Sequence, residues 1–226
     1  MFFTDASPTP YDLRFKLLGV PVRIHPMFWV IALFLGGSAT PQQAVVWVAA
    51  VLISVVVHEM GHALVQRAFG GSPSVVLYGF GGLAMAPGTR QSTWRNVAVS
   101  LAGPLAGFTL AAVIYVGVRA SGAPRSPIAA DLLNDLLFIN IAWSVLNLAP
   151  IWPLDGGQVA RELLVRFLPP SKGVFVSLVV SLVAAIVIGM WLFNETRSTW
   201  NAMLFGLLAY QNYEALRAYG ASRGRW

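Results

Sequence analysis

The segment Val55-Val-Val-His58-Glu59-Met-Gly-His62-Ala-Leu64 places two histidines four residues apart, with a glutamate directly after the first. On an α-helix, residues at this interval share a face with about 6 Å between their Cβ atoms. Two imidazoles in this pattern can therefore bind one zinc ion, while the intervening carboxylate points to a neighbouring position. The chemistry offered is metal-assisted hydrolysis, with His58 and His62 as ligands and Glu59 as general base. Ser54 and Gln66 continue the same face at the same interval, so the helix carries a polar stripe on an apolar background. The competing explanation is coincidence, two core histidines and a glutamate satisfied by neighbouring helices. The apolar surroundings weigh against it, because an ionisable group at membrane depth costs at least ~3 kcal/mol on insertion scales and is usually functional.

A catalytic zinc takes three protein ligands and keeps a fourth position open. The sequence has no cysteine, and His25 is its only other histidine. His25 stands beside Pro26 at the start of the first apolar stretch, which assigns it an interface or packing role. The third ligand is then sought among the carboxylates. Asp5 and Asp12 precede the first apolar stretch, Asp131, Asp135 and Glu195 fall on the side poor in basic residues, and Glu162 and Glu214 flank arginines, where solvated ion pairs are the common outcome. Asp155 remains, in Asn147-Leu-Ala-Pro150-Ile-Trp-Pro153-Leu-Asp155-Gly-Gly157. Pro150 and Pro153 cannot sustain helical hydrogen bonding, and Gly156 and Gly157 admit backbone conformations closed to other residues. The helix is expected to unwind here and present a carboxylate. The alternative is an ordinary Pro/Gly helix stop, with Asp155 capping the helix over 156–168.

The elements that must position these groups are membrane helices. Of 226 residues, 57% are hydrophobic and 11% charged, against roughly 25% charged in a soluble domain. The net charge of +6 is spread between apolar blocks, as expected for loops beside anionic lipid, and nucleic-acid binding is not expected. The expected fold is an all-α polytopic membrane protein forming one domain over 1–226. Six spans are expected at 18–37, 41–69, 96–119, 132–152, 173–193 and 200–216, each bounded by Gly, Pro, Asn or charge. The first is short and borrows residues from Leu18 onward or sits partly at the interface. Residues 1–22 do not read as a secretory signal but as a short amphipathic or surface segment. Six spans place twelve of the fifteen Lys and Arg on one side and Arg119, Arg125 and Arg197 on the other. Basic loops are retained in the cytoplasm, so both termini are expected there, with the His58 end of its span facing the same side.

His-Glu-x-x-His in one span, followed by Asn-x-x-Pro-x-x-x-Leu-Asp-Gly in a later one, resembles the site-2 protease family of intramembrane zinc metalloproteases. Further likeness lies in His25-Pro26, in Ser100-Leu-Ala-Gly103-Pro104-Leu-Ala-Gly107 and in the Gly-rich stretch between spans two and three. The chain looks like the compact six-span bacterial and archaeal branch, without PDZ or CBS domains. The resemblance implies one Zn²⁺ held by His58, His62 and Asp155, which lowers the pKa of a water from about 15.7 toward 7 so that Glu59 can take its proton. It implies that Asn147 faces the substrate and donates to the oxyanion; an interhelical hydrogen bond is the alternative for that amide. It also implies that the stretch 74–88 forms a small hairpin whose edge pairs with an unwound substrate, a plain interfacial loop being the alternative.

The substrate class implied is a transmembrane protein, pre-cleaved by another protease or controlled by a membrane partner or homo-oligomer, in the plasma membrane. Two other functions are weighed against proteolysis. A transporter or channel could use His58, Glu59 and His62 as a proton or metal-ion pathway. It would require neither Asp155 nor Asn147 at the same depth. A catalytically silent relative would most economically have lost one of His58, Glu59 and His62, and all three are present.

Overall fold

A computed structural model of the chain describes residues 7–37, 40–79, 81–85, 92–122 and 124–223. The chain divides into two compact units, Met1–Arg90 with Ala102–Val145, and Gln91–Leu101 with Leu146–Trp226.

In the first unit, β1 (Leu13–Leu17), β2 (Val20–Ile24), β3 (Ser74–Tyr78) and β4 (Gly81–Met85) form one sheet in the order β1-β2-β3-β4. The outer pairs β1/β2 and β3/β4 are antiparallel, and β2/β3 is parallel. Val20, Val22 and Ile24 alternate inward along β2 and are buried, with Pro21 and Arg23 on the opposite face, the period-2 pattern of a sheet with one covered side. These residues join Val75 and Leu77 of β3 in a core with Phe28 and Ala32 of α1 (Pro26–Gly36) and with Ala50, Val55 and Ala63 of α2 (Pro41–Ala68). His25 is the N-cap of α1, its Nδ1 accepting the Met27 N–H at 3.1 Å while its ring packs edge-on to Tyr78. Thr40 caps α2 through Oγ1 to the Gln43 N–H at 3.2 Å, with Pro41 at the first helical position, where it loses no bond. Helix α3 (Thr93–Ser121) belongs to this unit from Ala102 onward and helix α4 (Pro127–Asn147) up to Val145.

In the second unit, α5 (Asp155–Phe167), α6 (Pro170–Thr196) and α7 (Thr199–Arg223) follow one another. Ile151, Ala185, Phe205 and Leu208 form its core. A Cβ on Gly189 of α6 would stand 2.7 Å from the Phe205 Cβ of α7, so the missing side chain permits the close approach of these two helices.

Several sequence expectations change. The fold is mostly helical, but the all-α expectation is corrected by the four-stranded sheet. Its extra strands come from residues 13–24, where the sequence suggests a surface segment and a first span that borrows from Leu18 onward or sits partly at the interface. Leu18 and Gly19 turn the chain with φ of 48° and 80°, and the alternation after them favours a strand over a helix running in from Leu18. Within the Gly-rich stretch 74–88, Phe80 and residues 86–88 lie outside the described residues. Among the described residues, α2, α3, α4 and α6 are long and apolar enough to cross a membrane, and α1, with eleven residues, is a shorter apolar helix. Helix α7 is not among the four; Asn201, Gln211, Asn212 and Glu214 dilute its hydropathy. The fourth expected span, 132–152, is displaced to Pro127–Asn147, because Pro127 can start a helix and Pro150 cannot continue one. With four apolar helices of this length, the chain is a multi-pass membrane protein.

Candidate metal centre

Helix α2 carries His58, Glu59 and His62, all buried at 3%, 6% and 7% exposure. The imidazoles meet edge to face with their Nε2 atoms 3.2 Å apart. Two nitrogens bound tetrahedrally to one zinc at about 2.05 Å would stand about 3.3 Å apart. The pair is thus already at the separation a shared ion demands, and two neutral imidazoles with a carboxylate are a donor set that zinc accepts. The residues present fit the metal.

What lets the two rings converge is the absence of a side chain opposite them. Gly103 of α3 faces the pair: a Cβ there would overlap Nε2 of His62 and lie 2.7 Å from Nε2 of His58. Between the two histidines on α2, a Cβ on Gly61 would stand 2.5 Å from the Ala102 carbonyl oxygen and 2.9 Å from the Ala106 Cβ. Helices α2 and α3 therefore approach closely at Gly61 and at Gly103. That Gly103 lies against the Nε2 atoms of both histidines is not legible from its spacing along the chain.

In the second unit, the chain leaves α4 at Asn147, which is 8% exposed, and reaches Asp155, 6% exposed, through a tight turn. The Ile151 N–H donates to the Ala149 carbonyl and the Leu154 N–H to the Ile151 carbonyl, both at 2.7 Å. Side chains from the unit hold the same turn. The Trp152 N–H donates to Ser181 Oγ at 3.0 Å, the Trp152 carbonyl accepts from Asn212 Nδ2 at 2.6 Å, and the Pro153 carbonyl accepts from Gln158 Nε2 at 3.2 Å. The Arg161 guanidinium lies 3.9 Å from the Trp152 ring centroid, and burial lowers its pKa. Gly156 and Gly157 pack on this turn; a Cβ on Gly156 would overlap the Leu148 carbonyl oxygen and come within 2.6 Å of that of Ala149. Leu154, not Asp155, occupies the N-cap position of α5, and Asp155 is the first helical residue. Glu162, set aside as a ligand, accepts from Asn96 Nδ2 at 3.0 Å, and Glu214 meets Arg217 at 3.8 Å.

His58 and His62 in the first unit and Asp155 in the second are the candidate ligands, and all three are buried. His25, engaged in its cap, is not among them.

Residues 46–124, which include His58, Glu59, His62 and Gly103, match the model of Peptidase family M50. A zinc metalloprotease of Methanocaldococcus jannaschii is 27% identical over 164 residues, covering 68% of this chain and 46% of that protein. A putative zinc metalloprotease of Synechocystis is 31% identical over 165 residues, covering 66% of this chain and 42% of that protein. Stage IV sporulation protein FB of Bacillus subtilis is 30% identical over 201 residues, covering 87% of this chain and 66% of that protein. The chain thus spans less than half the length of the first two relatives. The solved site-2 protease from Methanocaldococcus jannaschii shares the fold, with a TM-score of 0.62 at 21% identity over 91% of this chain and 95% of that one. By this match over residues 46–124 and the zinc metalloproteases among its relatives, the chain resembles Peptidase family M50, the site-2 protease family.

Proposed function

We propose that this chain is a zinc metalloendopeptidase that hydrolyses peptide bonds within membrane-spanning segments of protein substrates. The observation that carries the proposal is the convergence of the His58 and His62 Nε2 atoms at 3.2 Å beside the buried Glu59 of the same apolar helix. His58 and His62 hold the zinc from α2, and Asp155 supplies the third ligand. When bound, the zinc lowers the pKa of water toward 7 and polarises the scissile carbonyl. One carboxylate and two neutral imidazoles leave a divalent ion a net positive charge of one, which favours negative charge developing beside it.

Glu59 follows His58 directly on α2, so its carboxylate issues from the same turn as the ligand pair. It accepts a proton from the attacking water and returns it to the leaving amine. Asn147 donates its amide to the developing oxyanion, a contribution of about 3 kcal/mol at comparable sites. A peptide bond inside a substrate helix is covered and hydrogen-bonded, so the substrate has to unwind before Glu59 can act. Strand β4 stands last in the sheet order among the described residues, and an edge of this kind can pair with an extended segment. The uneven distribution of Lys and Arg favours cytoplasmic termini and a site toward the cytoplasmic side of the plasma membrane. Prior cleavage of the substrate, a membrane partner or self-association would supply control.

Ion conduction through the same cluster draws no support from the relatives, two of which are named as zinc metalloproteases. The test is cleavage of a model membrane substrate by purified protein, wild type against Glu59→Gln, with chelation and zinc restoration as controls. The expected result is cleavage by wild type alone, abolished by chelator and restored by zinc. Equal cleavage by both proteins would overturn the assignment of Glu59, and ion flux without cleavage would replace proteolysis by transport.

A further inference from the structure

Four residues before His58 on α2, and so on the same helical face, Ser54 is 1% exposed. Its Oγ accepts a hydrogen bond from Asn140 Nδ2 of α4 at 2.8 Å. Asn140 is itself 2% exposed, and the same Nδ2 donates to the Leu136 carbonyl of its own helix at 2.8 Å. The amide is thereby pinned to α4 by one bond and to α2 by the other. Helix α3 closes the arrangement. Gly107 lies one turn beyond Gly103, and a Cβ there would overlap Ser144 Oγ and stand 3.4 Å and 3.5 Å from the carbonyl oxygen and Oδ1 of Asn140. Bare backbone on α3 thus faces the imidazoles at 103 and the Asn140/Ser144 pair at 107.

From this arrangement we propose that Asn140 and Ser54 are positioning residues, whose hydrogen bond sets the rotation of α2 and so aims His58 and Glu59. The inference rests on the metalloprotease assignment above. Its physical basis is that lipid gives membrane helices no hydrophobic reason to choose one face over another. Facing apolar residues tolerate a helix turning about its axis, whereas a directional bond between two buried polar groups does not. Ser54, His58 and His62 form one row, so whatever fixes the azimuth of Ser54 fixes that of the two rings. A single interhelical hydrogen bond contributes modestly to membrane-protein stability, whereas a ligand or base misplaced by about 1 Å can cost about 10²-fold in rate. The bond should therefore matter more for the site than for folding.

The test compares Ser54→Ala, Ser54→Thr, Asn140→Leu and the Ser54→Ala/Asn140→Leu double variant with wild type. The readouts are zinc retention against a graded chelator, the visible spectrum of the Co²⁺-substituted protein, thermal melting in detergent, and kcat and KM on a model substrate. Ser54→Ala and Asn140→Leu are each expected to weaken zinc retention by about tenfold, the lower end for residues that orient ligands, and to shift the Co²⁺ bands. They should lower kcat by about tenfold with little change in KM, because geometry rather than substrate binding is lost. Ser54→Thr, which keeps the hydroxyl, should restore wild-type behaviour. The double variant should be no worse than either single, the signature of one shared interaction.

Unchanged zinc retention and Co²⁺ spectra in both single variants would overturn the proposal, whatever happens to melting. So would losses that multiply in the double variant, or a Ser54→Thr protein as impaired as Ser54→Ala. The metal readouts need no substrate. Wild-type protein that binds zinc but fails to cleave would therefore sink the protease assignment, while the positioning role still stood or fell on chelator competition.

Discussion

Replacing Gly103 by alanine separates the chemistry of the centre from the stability of the fold. The added Cβ would sit 2.7 Å from Nε2 of His58 and would overlap Nε2 of His62, where ordinary contact begins at 3.4 Å. His58 must then retreat by 0.7 Å, the difference of those two distances, and His62 by more. Both atoms are ring tips on rotatable side chains, so the helices need not part and folding should lose little. Metal ligation is far less forgiving, because bond lengths hold to about ±0.2 Å. Rings pushed outward by three times that tolerance no longer keep their 3.2 Å convergence. We expect Gly103→Ala to melt within a few degrees of wild type and to lose zinc at least about 10–100-fold more readily, as when ligand-orienting groups are removed. Its kcat/KM should fall by about 10²-fold or more, the cost of an ångström-scale displacement. Chelator competition followed by elemental analysis reads the first effect and cleavage of a model membrane substrate the second. Gly117→Ala, on the same helix with nothing within 4 Å of its added Cβ, is the control and should match wild type. A Gly103→Ala protein that keeps both zinc and activity would refute the placement of the imidazoles against α3.

Gly156→Ala should behave in the opposite way, since the atoms its Cβ meets are the backbone oxygens of Leu148 and Ala149, which cannot swing aside; a loss of about 1–3 kcal/mol is expected from overpacking, seen as a lowered melting temperature. Asn212→Leu removes the donor 2.6 Å from the Trp152 carbonyl at a fully buried position, and a destabilisation of about 1–3 kcal/mol should appear in the same melt; a variant as stable as wild type would show that the turn before Asp155 does not depend on α7. The Asp12 carboxylate accepts from the Thr9 hydroxyl at 2.6 Å, the Thr9 N–H at 3.0 Å and Arg23 at 3.1 Å, and these contacts hold its pKa well below the ordinary carboxylate value of 3.8. Because the folded value is depressed, this stabilisation is complete above about pH 4, the unfolded value, and drains away as pH falls toward the lowered one. Asp12→Asn should therefore loosen residues 9–24 at pH 7, read by hydrogen exchange, with the gap from wild type narrowing below pH 3.8; a gap independent of pH would contradict the assignment.

The amino-acid sequence by itself determined the membrane character, the residue types offered as candidate ligands and the break in the chain before Asp155. Each is a local property. Apolar run length decides what can cross a bilayer, an interval of four puts His58 and His62 on one face, and Pro150 and Pro153 stop a helix within a few residues. Legibility failed where the deciding partner lies far along the chain. The apolar content of residues 18–24 suits a helix start as well as a surface segment; parallel pairing of β2 with β3, some fifty residues on, makes 20–24 strand. By spacing alone Gly103 is one of several small residues on α3, and only the approach of α3 to α2 brings it against Nε2 of both histidines. Asn140 carried no motif, and its partner Ser54 is 86 residues away. Spacing along a helix states which side chains share a face, but not what stands opposite that face. That is settled by which helices pack together and at what rotation, and for buried polar groups in lipid the choice turns on one or two directional contacts and on where a side chain is missing.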